Sequence, residues 1–563
     1  MLLFKGGKVA NVFSGECQEC DVLVENDKIK AVGKISVLPE YEVIDVTGRL
    51  ISPGLIDGHI HIESTMLSPV EFARASIPHG TTAVIADPHE IANVAGVDGI
   101  KYMLEASDGL PVSVYIALPS CVPATRFCES GAVLGAEELE PLYRHERVVA
   151  LGEVMNYFAV ISRDSDLMEK IEGAARNGKI INGHAPLLSG EGLSAYVSAG
   201  IRDDHECTSL PEAAERISLG QRVMIRQGTA AKNLDALLPL FDTDAKHRCL
   251  LVSDDKHPAD LIAFGHIDDI IRSAVAAGKS VVDAIRMASL NAAEHFGLRN
   301  VGAIAPGYYA DIVIFDSIET LNVDEVYKRG RRVAKNGVAQ SFSAPAVSQG
   351  LESAVRSSFK LDKLCPKDFE IADGGKRNCR VISLVSGELL TEEKIFEIDF
   401  EKHSGVDTQR DILKLAVIER HNNTGHKGLG FVHGAGLKRG AIASSVSHDS
   451  HNLIVIGATD EDMTVAANRI REMGGGLAVV KGGKVIAEMP LAIAGLMTDA
   501  DCAEAARQNE AVRTAVYELG APLDIEPFMN MAFVSLPVIP HIKMTTYGLI
   551  DVDSQRLLSL LAD

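Results

Sequence analysis

The sequence predicts an α/β protein: a (β/α)8 TIM-like barrel over residues 51–305, a β-sandwich assembled from the segments that flank it, and an additional C-terminal α/β domain. Three observations lead there. Apolar runs ending in polar clusters alternate with helical stretches, the pattern of repeated βα units around a parallel sheet. Eight such runs are present, enough to close a barrel, and nearly every one stops on His, Asp or Glu, where barrel enzymes carry their chemistry. Short strand-like segments of one texture lie on both sides of these units, and the chain runs on well beyond the second group.

Residues 1–50 read as the first part of the sandwich. Strands are expected at Leu2–Phe4, Val9–Phe13, Asp21–Glu25 and Lys28–Val32, punctuated by Gly6-Gly7, Ser14-Gly15 and Asn26-Asp27. The eight barrel runs follow. They are Ile56-Asp-Gly-His-Ile-His61, Val84-Ile-Ala-Asp-Pro-His-Glu90, Val114 to Ser120, Val149-Ala-Leu-Gly-Glu153, Ile180-Ile-Asn-Gly-His184, Ile201-Arg-Asp-Asp-His205, Val223 to Gln227 and Leu250-Leu-Val-Ser-Asp254. Residues 306–340, with Ala310 to Asp316 and Arg332 to Gly337, form the sandwich's second part, so the two ends of the barrel are expected to be clasped together. The Ser, Ala, Gly and Gln of 341–358 suggest a linker, and 359–563 a further α/β domain.

Composition narrows the partners. Of the 563 residues 46% are hydrophobic and 23% charged, as expected of a soluble enzyme. Against 77 Asp and Glu stand 55 Lys and Arg, a formal charge of -22 that disfavours nucleic acid or an anionic membrane and suits a small neutral or cationic ligand. No stretch approaches the roughly 18 apolar residues of a membrane span, and a cytoplasmic location is expected. Nine cysteines, an odd number spread along the chain, indicate free thiols; Cys17 and Cys20 lack a second pair at zinc-site spacing and belong to a surface hairpin.

His59 and His61 lie two apart on a strand, so both imidazoles face one side, close enough to share a cation. Glu153, His184, His205 and Asp254 end the fourth, fifth, sixth and eighth strands, which makes a set of N and O ligands sufficient for two metals. A carboxylate after an apolar run, as Glu153 is, needs a partner, and bridging two divalent cations supplies one. Such cations lower the pKa of bound water toward neutrality. Asp254 then serves as proton carrier between water and leaving group, with Asp255 the alternative. At the second strand end Asp87, His89 and Glu90 offer a metal ligand, a proton donor or a substrate contact. There is no Gly-x-Ser-x-Gly elbow, no Gly-x-x-x-x-Gly-Lys-Ser/Thr phosphate loop and no Pro-Cys-x-x-Cys. In the last domain His448, Asp449 and His451 of Ser447 to Asn452 form either a further functional group or a solvated turn, and Arg420-His-Asn-Asn-Thr-Gly425 is a weaker case of the same kind.

The clasped barrel with Pro53-Gly-Leu-Ile-Asp-Gly-His-Ile-His61 resembles the amidohydrolase superfamily. His61-Ile-Glu-Ser-Thr-Met66, Ala86 to Glu90, Pro119 to Thr125, Leu151 to Asn156, Ser253 to Pro258 and Ser445 to Asn452 are similar to the bacterial adenine deaminases, so the resemblance covers nearly the whole chain and adds Glu63 to the candidates. It implies hydrolytic attack at C6 of adenine with release of ammonia and hypoxanthine, in purine salvage or adenine catabolism. It implies two divalent metal ions per subunit, manganese or iron(II) with zinc an option, adenine and water as substrates, and a homo-oligomer, taken as a dimer. Glu153 stands where many binuclear relatives carry a carboxylated lysine, and His89, Glu90 or another carboxylate behind the ligands would protonate the ring. After Arg226 the resemblance leads to an acidic residue, and this chain has Gln227. The rival readings are a cyclic-amide hydrolase of the dihydroorotase or hydantoinase kind, which would bridge with lysine, and a non-catalytic scaffold, which would have lost ligands.

Overall fold

A computed structural model describes residues 1–229, 231–371, 374–385 and 390–562. Its centre is a set of parallel strands: β1 (Leu55–Ile60), β2 (Thr81–Ala86), β3 (Ser113–Leu118), β4 (Val148–Val154), β5 (Ile180–Gly183), β6 (Asp203–Asp204), β7 (Arg222–Arg226) and β8 (Cys249–Val252). They form a 5-stranded sheet in the order β5-β4-β3-β2-β1 and a 3-stranded sheet in the order β6-β7-β8. Both margins of the two sheets meet. Asp254 N–H donates to His59 O at 3.0 Å beside a parallel bridge between Ile60 and Asp254, and Arg202 N–H donates to Ile181 O at 2.9 Å.

Each expected run therefore contains one strand, and every strand but β4, which includes Glu153, ends before the last polar residue of its run. β1 ends at Ile60, one residue before His61, and β6 is only 2 residues long. Helices cover the sheets between strands, and α1 (His89–Ala106) begins directly after β2, which places His89 and Glu90 in its first turn. Inside the ring of strands Ile56, Ala83, Ile85, Ala117, Ala150, Met224, Leu250 and Val252 pack as one apolar cluster with Phe296. This alternation leaves the other end of the strands to polar side chains.

The flanking segments join in one 9-stranded sheet. Leu50–Pro53 pairs in parallel with Leu2–Asn11 and antiparallel with Ile312–Phe315, so the clasp is a shared sheet. The two strands expected at Leu2–Phe4 and Val9–Phe13 are one strand, Leu2–Asn11, with an irregularity between Phe4 and Gly7. Gly6, at φ 79, lets the chain bulge there without ending the ladder to Glu16–Glu25. Cys17 and Cys20 lie on that second strand as free thiols.

The segment expected to be a linker is in part a helix, Gln349–Arg356. Leu351 and Val355, four apart, put two buried side chains on one face, and Ser348 N–H donates to Glu105 of α1 at 2.7 Å. The chain then builds an 8-stranded mixed sheet between Lys376 and Pro490, covered by the helices Asp460–Met473 and Cys502–Leu519, and ends in a 3-stranded sheet within Ile542–Leu558. This C-terminal part is packed onto the parallel strands and their helices. The helix Cys502–Leu519 lies against Pro258–Phe264, and Thr498 exchanges backbone hydrogen bonds with Met66 and Ser68. Among the described residues no helix is long and apolar enough to cross a membrane.

Candidate active site

At the C-terminal ends of the strands the six residues His59, His61, Glu153, His184, His205 and Asp254 come together, all of them buried except the slightly exposed His184. Glu153 Oε2 lies 2.6 Å from His184 Nδ1 and 3.1 Å from His205 Nε2, while its Oε1 lies 3.3 Å from His61 Nε2. Asp254 Oδ1 is 3.2 Å from His61 Nε2 and 3.5 Å from His59 Nε2. The ligand atoms of His59, His61 and Glu153, of His59, His205 and Asp254, and of Glu153, His184 and His205 fall into groups within 4.8 Å of one another.

Proton positions and unpartnered atoms show that this set fits cations. His61 Nδ1 lies 3.0 Å from the carbonyl oxygen of Asp87, which can only accept, so Nδ1 carries the proton and Nε2 presents its lone pair to Glu153 and Asp254. His59 Nε2 and His184 Nε2 are buried without a hydrogen-bond partner. The cavity of about 670 Å³ over the site is lined by Glu90, Glu153, Glu206, Asp254, Asp255 and Asp449, against which Arg226 and Lys232 are the permanently charged cations of the lining. Buried carboxylates in such excess require further positive charge. Burial opposes ionisation of Glu153, yet His184 and His205 hold it well below the usual carboxylate range. Asp254 is likewise held low, against burial, by His59, His61 and Arg226.

The backbone places these groups. Asp57 of β1 accepts Ser253 N–H at 3.1 Å and Ser253 Oγ at 2.5 Å, and it faces His266 Nε2 at 3.0 Å, tying β1 to the end of β8. Asp254 follows with φ 57, a left-handed conformation uncommon outside Gly, and its N–H is held by His59 O. Asp87 Oδ2 accepts Glu153 N–H at 2.9 Å. That contact needs Gly152, since a Cβ there would lie 2.0 Å from the same oxygen.

Around the six, the remaining candidates divide. His89 stands 3.5 Å from Asp87 Oδ1 and from Glu153 Oε1, and 3.3 Å from Glu90 Oε1. Burial opposes its charging, but Glu90, Asp449 and Asp87 raise it well above the usual histidine value. Arg226, Asp255, His448 and Asp449 line the cavity with it. Asp255 also accepts Ser64 Oγ–H at 2.5 Å. Glu63 does not line the cavity: it accepts Ile91 N–H at 3.2 Å beneath α1, and burial pushes its carboxyl up to about 7. The stretch Ser447 to Asn452 is no solvated turn, because all its residues are buried. Arg420 Nε–H donates to His451 O at 2.6 Å and His421 Nε2–H to Ser450 O at 2.7 Å, so the weaker motif supports that loop from behind.

Glu206 went unforeseen. Its carboxylate takes Arg226 on both oxygens, at 2.5 and 2.9 Å, and lies 3.2 Å from His205 Nε2 and 3.4 Å from His184 Nδ1. Arg226 also donates to Asp254 Oδ2 at 2.8 Å. At position 227, where the resemblance leads to an acidic residue, the Oε1 of Gln227 is buried without a hydrogen-bond partner; Glu206 follows β6. Its signal was adjacency to His205 at a strand end. Asp57 is a second omission, although it sits inside the Asp-Gly-His-Ile-His stretch.

Two family descriptions match: the amidohydrolase family over residues 50–333 and the adenine deaminase C-terminal domain over residues 388–556. The chain is 45% identical to "Adenine deaminase 2" of Carboxydothermus hydrogenoformans over 98% of this chain and 95% of that protein. It is 45% identical to an adenine deaminase of Desulfatibacillum aliphaticivorans, covering 99% of this chain and 97% of the relative. For an adenine deaminase of Thermosipho africanus the figures are 44%, 100% and 97%. By these matches along nearly its whole length, the chain belongs to the adenine deaminase family of amidohydrolases.

Proposed function

We propose that the protein hydrolyses adenine to hypoxanthine and ammonia at a two-metal centre held by His59, His61, Glu153, His184, His205 and Asp254. Family membership along the full chain supports the reaction. The observation that carries the site is Glu153, whose two oxygens face His61 on one side and His184 with His205 on the other, the geometry of a bridging ligand. We read the two parallel sheets as one (β/α)8 barrel whose strand ends converge on that carboxylate.

Two divalent cations in this set, with manganese or iron(II) suited to its imidazole and carboxylate donors, would supply an activated water near neutral pH. Asp254, fixed by Arg226 on Oδ2 and by its backbone against β1, accepts a proton from the attacking water and returns it to the C6 amine as ammonia leaves. His89 donates a proton to N1 as the C6–O bond forms, Asp87, Glu90 and Glu153 stabilise its charge, and the second proton of the water, released from the C6 hydroxyl as the carbonyl forms, returns to His89. Arg226 with Glu206 holds Asp254 in place. The purified protein should release ammonia from adenine and open no dihydropyrimidine ring. In Glu153→Gln we expect loss of bound metal together with at least about a 100-fold fall in turnover; unchanged metal content and turnover would refute the bridging role.

A further inference from the structure

The two proposed metal positions are supported by different means. On the β1 side the backbone itself fixes the ligands, since Asp254 N–H is bonded to His59 O. On the other side His184 follows β5, the margin of the 5-stranded sheet, where pairing with β4 is irregular between Ile181 and Gly183. There side chains take over the backbone groups. Gly183 N–H donates to Asp203 Oδ1 at 2.9 Å, and His184 N–H donates to the phenol oxygen of Tyr196 at 2.9 Å. At the end of β4 the carbonyls are held in the same fashion: Glu153 O accepts Ser120 Oγ–H at 2.5 Å, and Val154 O accepts Tyr196 Oη–H at 2.7 Å.

Of Asp203, Ser120 and Tyr196, only Tyr196 bonds both strand ends. It comes from the helix Gly190–Ser198 and is fully buried. A phenol has one proton to give and oxygen lone pairs to accept with. The proton goes to Val154 O, which can only accept, and a lone pair is left for His184 N–H, so neither bond can trade places with the other. Burial, with Asp204 nearby, pushes Tyr196 well above the usual phenol value, and the proton stays. The outcome is a bridge from the residue after Glu153 to the backbone of His184, two residues whose side chains meet at 2.6 Å between Oε2 and Nδ1. Removing the phenol oxygen leaves a donor and an acceptor unpaired, one on each strand end, and nothing at that point then sets their separation.

We propose that Tyr196 is a positioning residue for the second metal: its hydroxyl sets the spacing of Glu153 and His184, and with it the affinity for the cation that Glu153 shares with His184 and His205. The inference rests on the two-metal reading of the site. Glu153 keeps Asp87 on its N–H and Ser120 on its carbonyl when the phenol oxygen is lost, so His184 is the ligand that shifts. The cation at His59, His61 and Asp254 is secured through Asp57 and the Asp254 backbone, away from Tyr196.

Manganese titration of the chelator-stripped protein, in competition with a chelator, tests it. The native enzyme should bind two equivalents. In Tyr196→Phe one equivalent should keep its native affinity while the other weakens about 10–100-fold, and deamination lost at low manganese should return when manganese is in excess. Because the tyrosine acts through His184, adding Tyr196→Phe to His184→Ala should weaken metal binding no further than His184→Ala does alone. Should Tyr196→Phe not fold, Tyr196→4-aminophenylalanine, which keeps the size of the ring and a donor but offers a poor acceptor, is expected to show the same selective loss. Two native affinities in the variant, equal weakening of both equivalents, or a further loss in the double variant overturns the proposal. Failure of the two-metal reading itself would be visible separately, as a single equivalent bound by the native enzyme.

Discussion

At the scale of single residues, backbone partners distinguish two of the histidines of this protein. A ring nitrogen that donates to a backbone carbonyl leaves the other free for a cation, as in His61, whereas one that accepts a backbone N–H commits the other as a donor, as in His451. The pair His59 and His61 was legible in the sequence because strand period puts both on one face. Glu206 was not, since nothing but its position after His205 marks it before the fold brings Arg226 to it. Gly152 is a test of close packing. In Gly152→Ala the added methyl must displace Asp87, which holds both Glu153 and His61, and we expect metal affinity to fall about 10–100-fold, read by competition with a chelator. His448 provides a pH test. It faces Glu90 of α1, Asp449 and His451 of its own loop, and Asp255 beyond β8. Because its folded pKa is raised, to about 9, the Glu90–His448 pair stabilises the fold fully below the ordinary histidine value of about 6.5, and that stabilisation is lost as pH rises through about 9. The histidine ring resonance that vanishes in His448→Asn should titrate with a midpoint near 9 rather than near 6.5.

At the scale of elements, the eight apolar runs identified the strands but, except in β4, ran past their C-terminal ends. Pairing ends where backbone groups turn to position side chains: β1 stops before His61, and Asp254 leaves β8 with a positive φ. β6 is too short to be seen by periodicity, yet the acidic end of its run marked it. The helix Gln349–Arg356 was hidden in a linker-like composition, because two buried residues suffice to dock it on α1. The tie from Asp57 to Ser253 and His266 joins the first and last parallel strands. In Asp57→Ala, removal of this buried acceptor should cost about 1–3 kcal/mol and lower activity through a displaced Asp254, measurable by denaturant unfolding beside turnover.

At the scale of the whole molecule, the cavity is closed by chain far from the parallel strands in sequence. His448 is 358 residues from Glu90, and Phe533, Leu536 and Ile539 come from further still. The Ser-His-Asp-Ser-His motif read equally as a functional group or a solvated turn, and no sequence pattern says that it meets α1, since that juxtaposition is made by packing of the C-terminal part on the parallel strands and their helices. A site so rich in buried acid also ties stability to its cations. Metal at about a thousandfold excess over its Kd should stabilise the native protein by roughly 4 kcal/mol relative to the chelated form.

The central claim is that Glu153 joins two metal sites required together. The most direct measurement is titration of the chelator-stripped protein with manganese or iron(II), following ammonia release from adenine against bound metal. The account predicts no activity without metal and a rise that reaches its plateau at two equivalents per chain. A plateau at one equivalent, or deamination by the metal-free protein, would contradict it.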